Sequence, residues 1–167
     1  MNKLKAIFNP YIYILTLLSL FSLTACIEPP KYSDTPEITA VEFNKTGISS
    51  GTEQFQLNIF FQDGNGDFDG GENNLFITES RTCFTDVYTI PAIEKNGNTD
   101  DISGVIAIPD LTEFCVLEWK NPTETDCLPF KKVNTITDTV QYDIQIMDNA
   151  GNESNVFTSP ELYIICR

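Results

Sequence analysis

Phe55-Gln56-Leu57-Asn58-Ile59-Phe60-Phe61-Gln62, "FQLNIFFQ", alternates with a period of two. Phe55, Leu57, Ile59 and Phe61 fall on one side of an extended chain, while Gln54, Gln56, Asn58 and Gln62 fall largely on the other. A strand with one dry and one wet face is the arrangement of an antiparallel sheet packed on a core. "VQYDIQIM", Val140 to Met147, repeats the pattern with Val140, Tyr142, Ile144 and Ile146 inward. Working outward, "EITAVEFNK", "NNLFITES", "DVYTIPAI", "ISGVIAI", "FCVLEWK" and "VFTSPELYIIC" read as further strands, divided by Gly, Pro, Asn and Asp clusters. No segment after residue 26 sustains a 3.6-residue apolar period with caps. Seven or eight short strands predict an all-β fold, an antiparallel immunoglobulin-like β-sandwich, with a small β-barrel as the alternative that periodicity leaves open.

The first 25 residues differ in kind. Lys3 and Lys5 precede an apolar run without acidic residues, the pattern of an export signal. The run from Tyr11 to Ala25 is short for a span of about 20 residues and no basic stop follows it. It closes on Leu23-Thr24-Ala25-Cys26, which resembles the lipobox of bacterial lipoproteins. The resemblance implies cleavage before Cys26, lipidation of that cysteine and a place in the cell envelope. Ile27 does not resemble an inner-membrane retention signal, which favours the outer membrane. "IEPPKYSDTP", with three prolines and no periodicity, reads as an extended tether. The expected organisation is therefore a signal peptide over 1–25, lipidated cysteine and tether over 26–36, and one domain over 37–167.

Lys3 and Lys5 are the only charged residues of the signal, so the remainder carries eight basic and 24 acidic residues, a formal charge of −16. Such a surface repels nucleic acid and anionic lipid and attracts cations or basic protein faces. Membrane contact is expected through the N-terminal lipid only.

Four further cysteines, Cys83, Cys115, Cys127 and Cys166, are an even number in an exported domain and predict two disulfides. The short loop "VLEWKNPTETD" favours Cys115 with Cys127, leaving Cys83 for Cys166. With no histidine in the chain and no closely spaced ligand pair, a zinc site is a poor reading of these residues.

The C-terminal stretch "YDIQIMDNAGNESNVFTSPELYII" places Asp148 to Asn155 between an alternating strand and a final strand. It resembles the last hairpin of bacterial immunoglobulin-like and fibronectin type III-like domains, which implies the same sandwich. The Cys…Trp…Cys arrangement of antibody domains is absent, Trp119 lying four residues after Cys115.

Immediately after the alternating strand comes "DGNGDFDGGE", with Asp63, Asp67, Asp69 and Glu72 within ten residues. Turn chemistry accounts for Asp, Asn and Gly in a hairpin loop, but not for four carboxylates that repel one another without a counter-ion. Calcium takes several oxygen ligands in irregular geometry and needs glycines that let the backbone curl around it. Asp63, Asn65, Asp67 and Asp69 supply the alternate ligand positions. In the EF-hand register Phe68 stands where glycine is required and Asn74 where the closing glutamate belongs, so the loop is not an EF-hand. It resembles instead the D-x-[DN]-x-D-x-D-G loops of secreted proteins, implying a structural Ca2+ held by Asp63, Asn65, Asp67, Asp69 and Glu72. In a sandwich the Asp148 to Ser154 loop and the entry of the first strand reach the same end. Asp148 is thus expected to complete the ligand set and to clamp two loops, much as calcium stiffens junctions in cadherin-like proteins.

Catalytic inventory is thin. There is no histidine, no G-x-S-x-G or H-E-x-x-H signature, and the cysteines are expected to be oxidised. Carboxylate chemistry of the glycosidase kind is the one route left, and 24 acidic residues make any such pair uninformative. The expectation is a non-catalytic binding, adhesion or scaffolding module with a protein or polysaccharide partner. The alternative is a polysaccharide-binding accessory lipoprotein, with Trp119, Tyr88, Phe84 and Phe114 as an aromatic platform beside Lys120, Lys131 and Lys132. A glycoside hydrolase stands behind it.

Overall fold

The computed structural model describes residues 31–67, 71, 74–91, 100–115 and 136–166. The chain divides into units Met1–Pro30 and Lys31–Arg167, and every described residue belongs to the second. Among the described residues all regular structure is β-strand: β1 (Glu37–Phe43), β2 (Gly47–Ser49), β3 (Gln54–Asp63), β4 (Leu75–Glu79), β5 (Thr85–Tyr88), β6 (Ile102–Thr112), β7 (Thr137–Val140), β8 (Tyr142–Ile146), β9 (Phe157–Thr158) and β10 (Leu162–Ile165).

One layer has the order β1-β3-β6, antiparallel throughout. Facing it are β5-β4-β8-β9 and β2-β10-β7. These two short sheets run on from each other, because Gln141 alone separates β7 from β8. Serine hydroxyls carry the pairing across the break: Gln141 N donates to Ser80 Oγ at 3.1 Å and Tyr142 N donates to Ser159 Oγ at 2.9 Å. The architecture is a β-sandwich, and among the described residues no sheet closes into a barrel.

The strand count exceeds the seven or eight expected from sequence because two expected strands are each divided and "GIS" adds another. That addition makes one sheet mixed, since β2 lies parallel to β10 in an otherwise antiparallel sandwich. After β1 the chain leaves the first layer at Asn44, whose side-chain oxygen accepts from Gln56 N at 2.8 Å, and crosses to the free edge of β10. Of the expected strand "FCVLEWK", Phe114 and Cys115 lie in no strand and the rest lies outside the described residues.

The core follows the period-two reading. Phe55, Leu57, Ile59 and Phe61 of β3 are buried against Leu75, Ile77, Tyr142, Ile144 and Ile146 of the facing layer. At one end Phe43, Phe55 and Tyr142 meet with ring centroids 5.6 to 6.5 Å apart, linking the layers edge-on and stacked. Each such side chain contributes about 1.5–3 kcal/mol of transfer free energy. β6 closes its layer as an edge strand, where Pro109 removes no ladder donor that a neighbour needs.

Candidate metal centre

The inward register of β3 does not stop at Phe61. Two residues on, Asp63 occupies the next inward position and is 0 % exposed. On the facing layer β8 does the same: Tyr142, Ile144 and Ile146 are followed by Asp148, 2 % exposed. Because Asp63 pairs with Ile102 and Leu75 with Ile146, the end of β3, the start of β6, the start of β4 and the end of β8 share one pole. Both aspartates cap the core there.

The loop after β3 folds over this pole. Gly66 takes φ 61°, a conformation natural to glycine, and lets the chain reverse so that Asp67 returns above Asp63. Asn65 Oδ1 accepts from Asp67 N at 3.4 Å, a long contact. Asn149 N donates to Asp67 O at 3.1 Å, which joins the acidic loop to the β8–β9 hairpin. The two loops expected to meet do meet. Asp148 is held rigidly, its Oδ1 accepting from Asn152 N and its Oδ2 from Asn152 Nδ2, both at 2.7 Å.

Asp63 is different. Neither carboxylate oxygen has a hydrogen bond of good geometry to a protein donor. The amides of Gly66 and Asp67 point towards it and pull its pKa down without closing such a bond. Burial pushes the other way, reinforced by the charges of Asp67 and Asp148, and the balance stands at about 6 against the ordinary 3.8. At neutral pH an ionised, inaccessible carboxylate beside two others has no cation to face among the described residues. Buried carboxylates in that condition are costly unless paired or metal-bound. The oxygen-only donor set of Asp63, Asn65, Asp67 and Asp148 suits a hard divalent ion. Asp69 and Glu72, the remaining expected ligands, lie outside the described residues, and among the described residues no three Asp, Glu, His or Cys side chains are grouped so as to hold a metal ion.

The opposite pole carries a second charged cluster that the sequence reading missed. Arg81, in the turn after β4, is 8 % exposed and bonds three carboxylates: Glu79 through Nε, Glu113 at 2.7 Å and Asp138 at 2.7 Å. It also donates to Phe114 O at 3.1 Å, and the Tyr142 hydroxyl donates to Glu113. Burial opposes the guanidinium charge, but Glu79, Asp138 and Glu113 outweigh it and raise the pKa of Arg81. Burial likewise raises Glu113 and Tyr142. Every guanidinium nitrogen is engaged, so the cluster reads as a structural knot. Its partners lie 32 and 57 residues away along the chain, and no local pattern announces them.

Near this knot the expected disulfide pairing is corrected. Cys115 is joined to Cys166, with Cα atoms 5.8 Å apart, which rules out both Cys115–Cys127 and Cys83–Cys166. Cys83 is disulfide-bonded as well, and Cys127 lies outside the described residues. The Ser50–Gly51 turn explains the juxtaposition: Ser50 N donates to Ile165 O at 3.0 Å, Gly51 N to Glu113 O at 2.9 Å, and Cys115 N to Ser50 Oγ at 3.0 Å. The turn thereby brings the ends of β6 and β10 together. Short spacing was a weak guide, since loop-closure entropy separates a 12-residue from a 51-residue loop by only about 1 kcal/mol. Phe84 and Phe114 are 64 % and 65 % exposed at this pole, whereas Tyr88 packs on the core; Trp119, Lys120, Lys131 and Lys132 lie outside the described residues.

Comparison of the chain with family models, with curated proteins and with solved structures gives no match.

Proposed function

We propose that this chain is a non-catalytic, lipid-anchored module of the bacterial envelope, anchored through Cys26, that uses a calcium-stabilised sandwich for binding, adhesion or scaffolding. The observation that carries the calcium part is Asp63: fully inaccessible, without a well-formed hydrogen bond, and flanked by Asp67 and Asp148. A cation between these groups removes their repulsion and gives the Asp63 carboxylate a partner. Asp63, Asn65, Asp67 and Asp148 hold it in this reading, joined by Asp69 and Glu72. The lipobox Leu23-Thr24-Ala25-Cys26 and the signal before it support the anchor, with the outer membrane as its place. The β1-β3-β6 layer facing a layer that carries β2 parallel to β10 supports the immunoglobulin-like reading.

Calorimetric titration of chelator-stripped protein with calcium tests this directly. One site per chain, lost in Asp63→Ala/Asp67→Ala, is the expected result, and the absence of binding heat with a folded protein contradicts it.

A second reading has its own observation. Phe84 and Phe114 are exposed large apolar residues at the Arg81 pole, where a sugar ring could stack on them. In that reading the module is a polysaccharide-binding accessory lipoprotein, and loss of glycan retention in Phe84→Ala/Phe114→Ala separates it from the first.

A further inference from the structure

We propose that the cation at Asp63 also governs the seat of the N-terminal tether, holding residues 31–35 against the domain when bound and releasing them when absent. This rests on the calcium reading above and adds a consequence to it. The tether enters the domain at the acidic pole. Gly64 N, the amide next to Asp63, donates to Ser33 O at 2.7 Å, Tyr32 N donates to Asp101 Oδ1 at 2.7 Å, and Asp101 N donates to Gly64 O at 2.7 Å. Tether, acidic loop and the turn before β6 thus close a ring of three hydrogen bonds. The approach is close: a Cβ at Gly64 would stand 2.6 Å from Tyr32 O and 2.8 Å from Ser33 O, so only glycine lets the two backbones touch.

Among the described residues few other contacts hold the tether there. Lys31, Ser33, Asp34 and Thr35 are exposed, Tyr32 is half-buried, and only Pro36, at the start of β1, is buried. Individually weak hydrogen bonds to one loop are readily exchanged for water when that loop shifts. Asp67 is among the charges that raise the Asp63 pKa, and a cation between the two carboxylates removes their repulsion and would fix the loop that carries Gly64. Release of five residues adds roughly 16 Å of reach to the tether, at about 3.3 Å per extended residue.

Lys31 supplies the reporter, because its peptide bond to Tyr32 enters the seat. The full chain is digested with a lysine-specific endoproteinase in calcium or in chelator. Cleavage after Lys31 is followed by mass spectrometry, with Lys45, exposed between β1 and β2, as the internal control. The expected result is slowing after Lys31 by about tenfold or more in calcium, beyond any change at Lys45. Gly64→Ala, which crowds the tether, and Asp101→Gly, which removes the Tyr32 acceptor where φ is 54°, should bind calcium yet cleave rapidly in both conditions. Calcium binding with equal cleavage after Lys31 in both conditions overturns tether control and leaves the cation site standing. No calcium binding by the unaltered chain overturns both.

Discussion

Asp63 and Asp148 complete the inward registers of β3 and β8, one from each layer, and place two inaccessible carboxylates at the same end of the core. A strand that ends its apolar face on an acid, opposite another that does the same, is an arrangement the hydrophobic effect alone disfavours. Asn152 gives each Asp148 oxygen one hydrogen bond and leaves it further acceptor capacity, whereas Asp63 has none of good geometry.

If a cation compensates the Asp63 charge, Asp63→Asn should have opposite effects in its presence and absence. Without divalent ions the neutral, nearly isosteric side chain relieves the repulsion from Asp67 and Asp148 and should stabilise the fold by about 1 kcal/mol. In calcium it should fall below the unaltered protein, having lost the gain from binding. Chemical denaturation in both conditions reads the crossover.

The pH dependence of the chelated protein has a definite sign. Burial and neighbouring charge raise Asp63 from 3.8 to about 6 in the folded state, so the folded protein holds the proton more tightly than the unfolded chain. That contribution is complete below pH 3.8 and is lost as pH rises through about 6. Glu113, raised chiefly by burial, acts in the same direction from its ordinary 4.5 upward. Denaturation midpoints in chelator should therefore lose this stabilisation between pH 4 and 7, less steeply in Asp63→Asn, and calcium should restore the most stability at the upper end.

Among the described residues Arg81 is the cation that pairs with Glu79, Glu113 and Asp138. Arg81→Met leaves three crowded carboxylates without it and should destabilise by about 3–5 kcal/mol, the range for breaking a buried ion pair from one side. Tyr142→Phe removes one hydrogen bond to Glu113 and should cost about 1–2 kcal/mol. Urea denaturation distinguishes the two magnitudes.

The Cys115–Cys166 bridge closes a loop with a sequence separation of 51, for which chain entropy gives about 4 kcal/mol. The double replacement Cys115→Ser/Cys166→Ser should lose stability of that order. Non-reducing peptide mapping of the unaltered protein should recover peptides joining Cys115 to Cys166.

Legibility in the sequence tracked the range of the interactions. "FQLNIFFQ" specifies β3 and its buried face because alternation is a local signal, and "YDIQI" does the same for β8. Extending the first count by one step places Asp63 on the inward face. The residue types drew the eye to a loop instead, although Asp63 is the last residue of the strand. The meeting of the acidic loop with the Asp148 hairpin followed from the strand order of a sandwich, and the Asn149–Asp67 bond joins the two. Arg81, the Cys115–Cys166 bridge and the parallel β2 were not legible. Each depends on which distant segments the sandwich stacks together, and "GIS" is too short to carry a period.

The most direct test is a thermal melt of the full chain with disulfides intact, in calcium and in chelator, with Asp63→Ala/Asp67→Ala alongside. Calcium at a hundred times its dissociation constant adds about 2.7 kcal/mol to the folded state, a rise in Tm of roughly 10 °C for a domain this size. The account predicts that rise for the unaltered chain and none for the double variant. Superimposed melts in calcium and chelator would show that nothing divalent faces Asp63, and would contradict it.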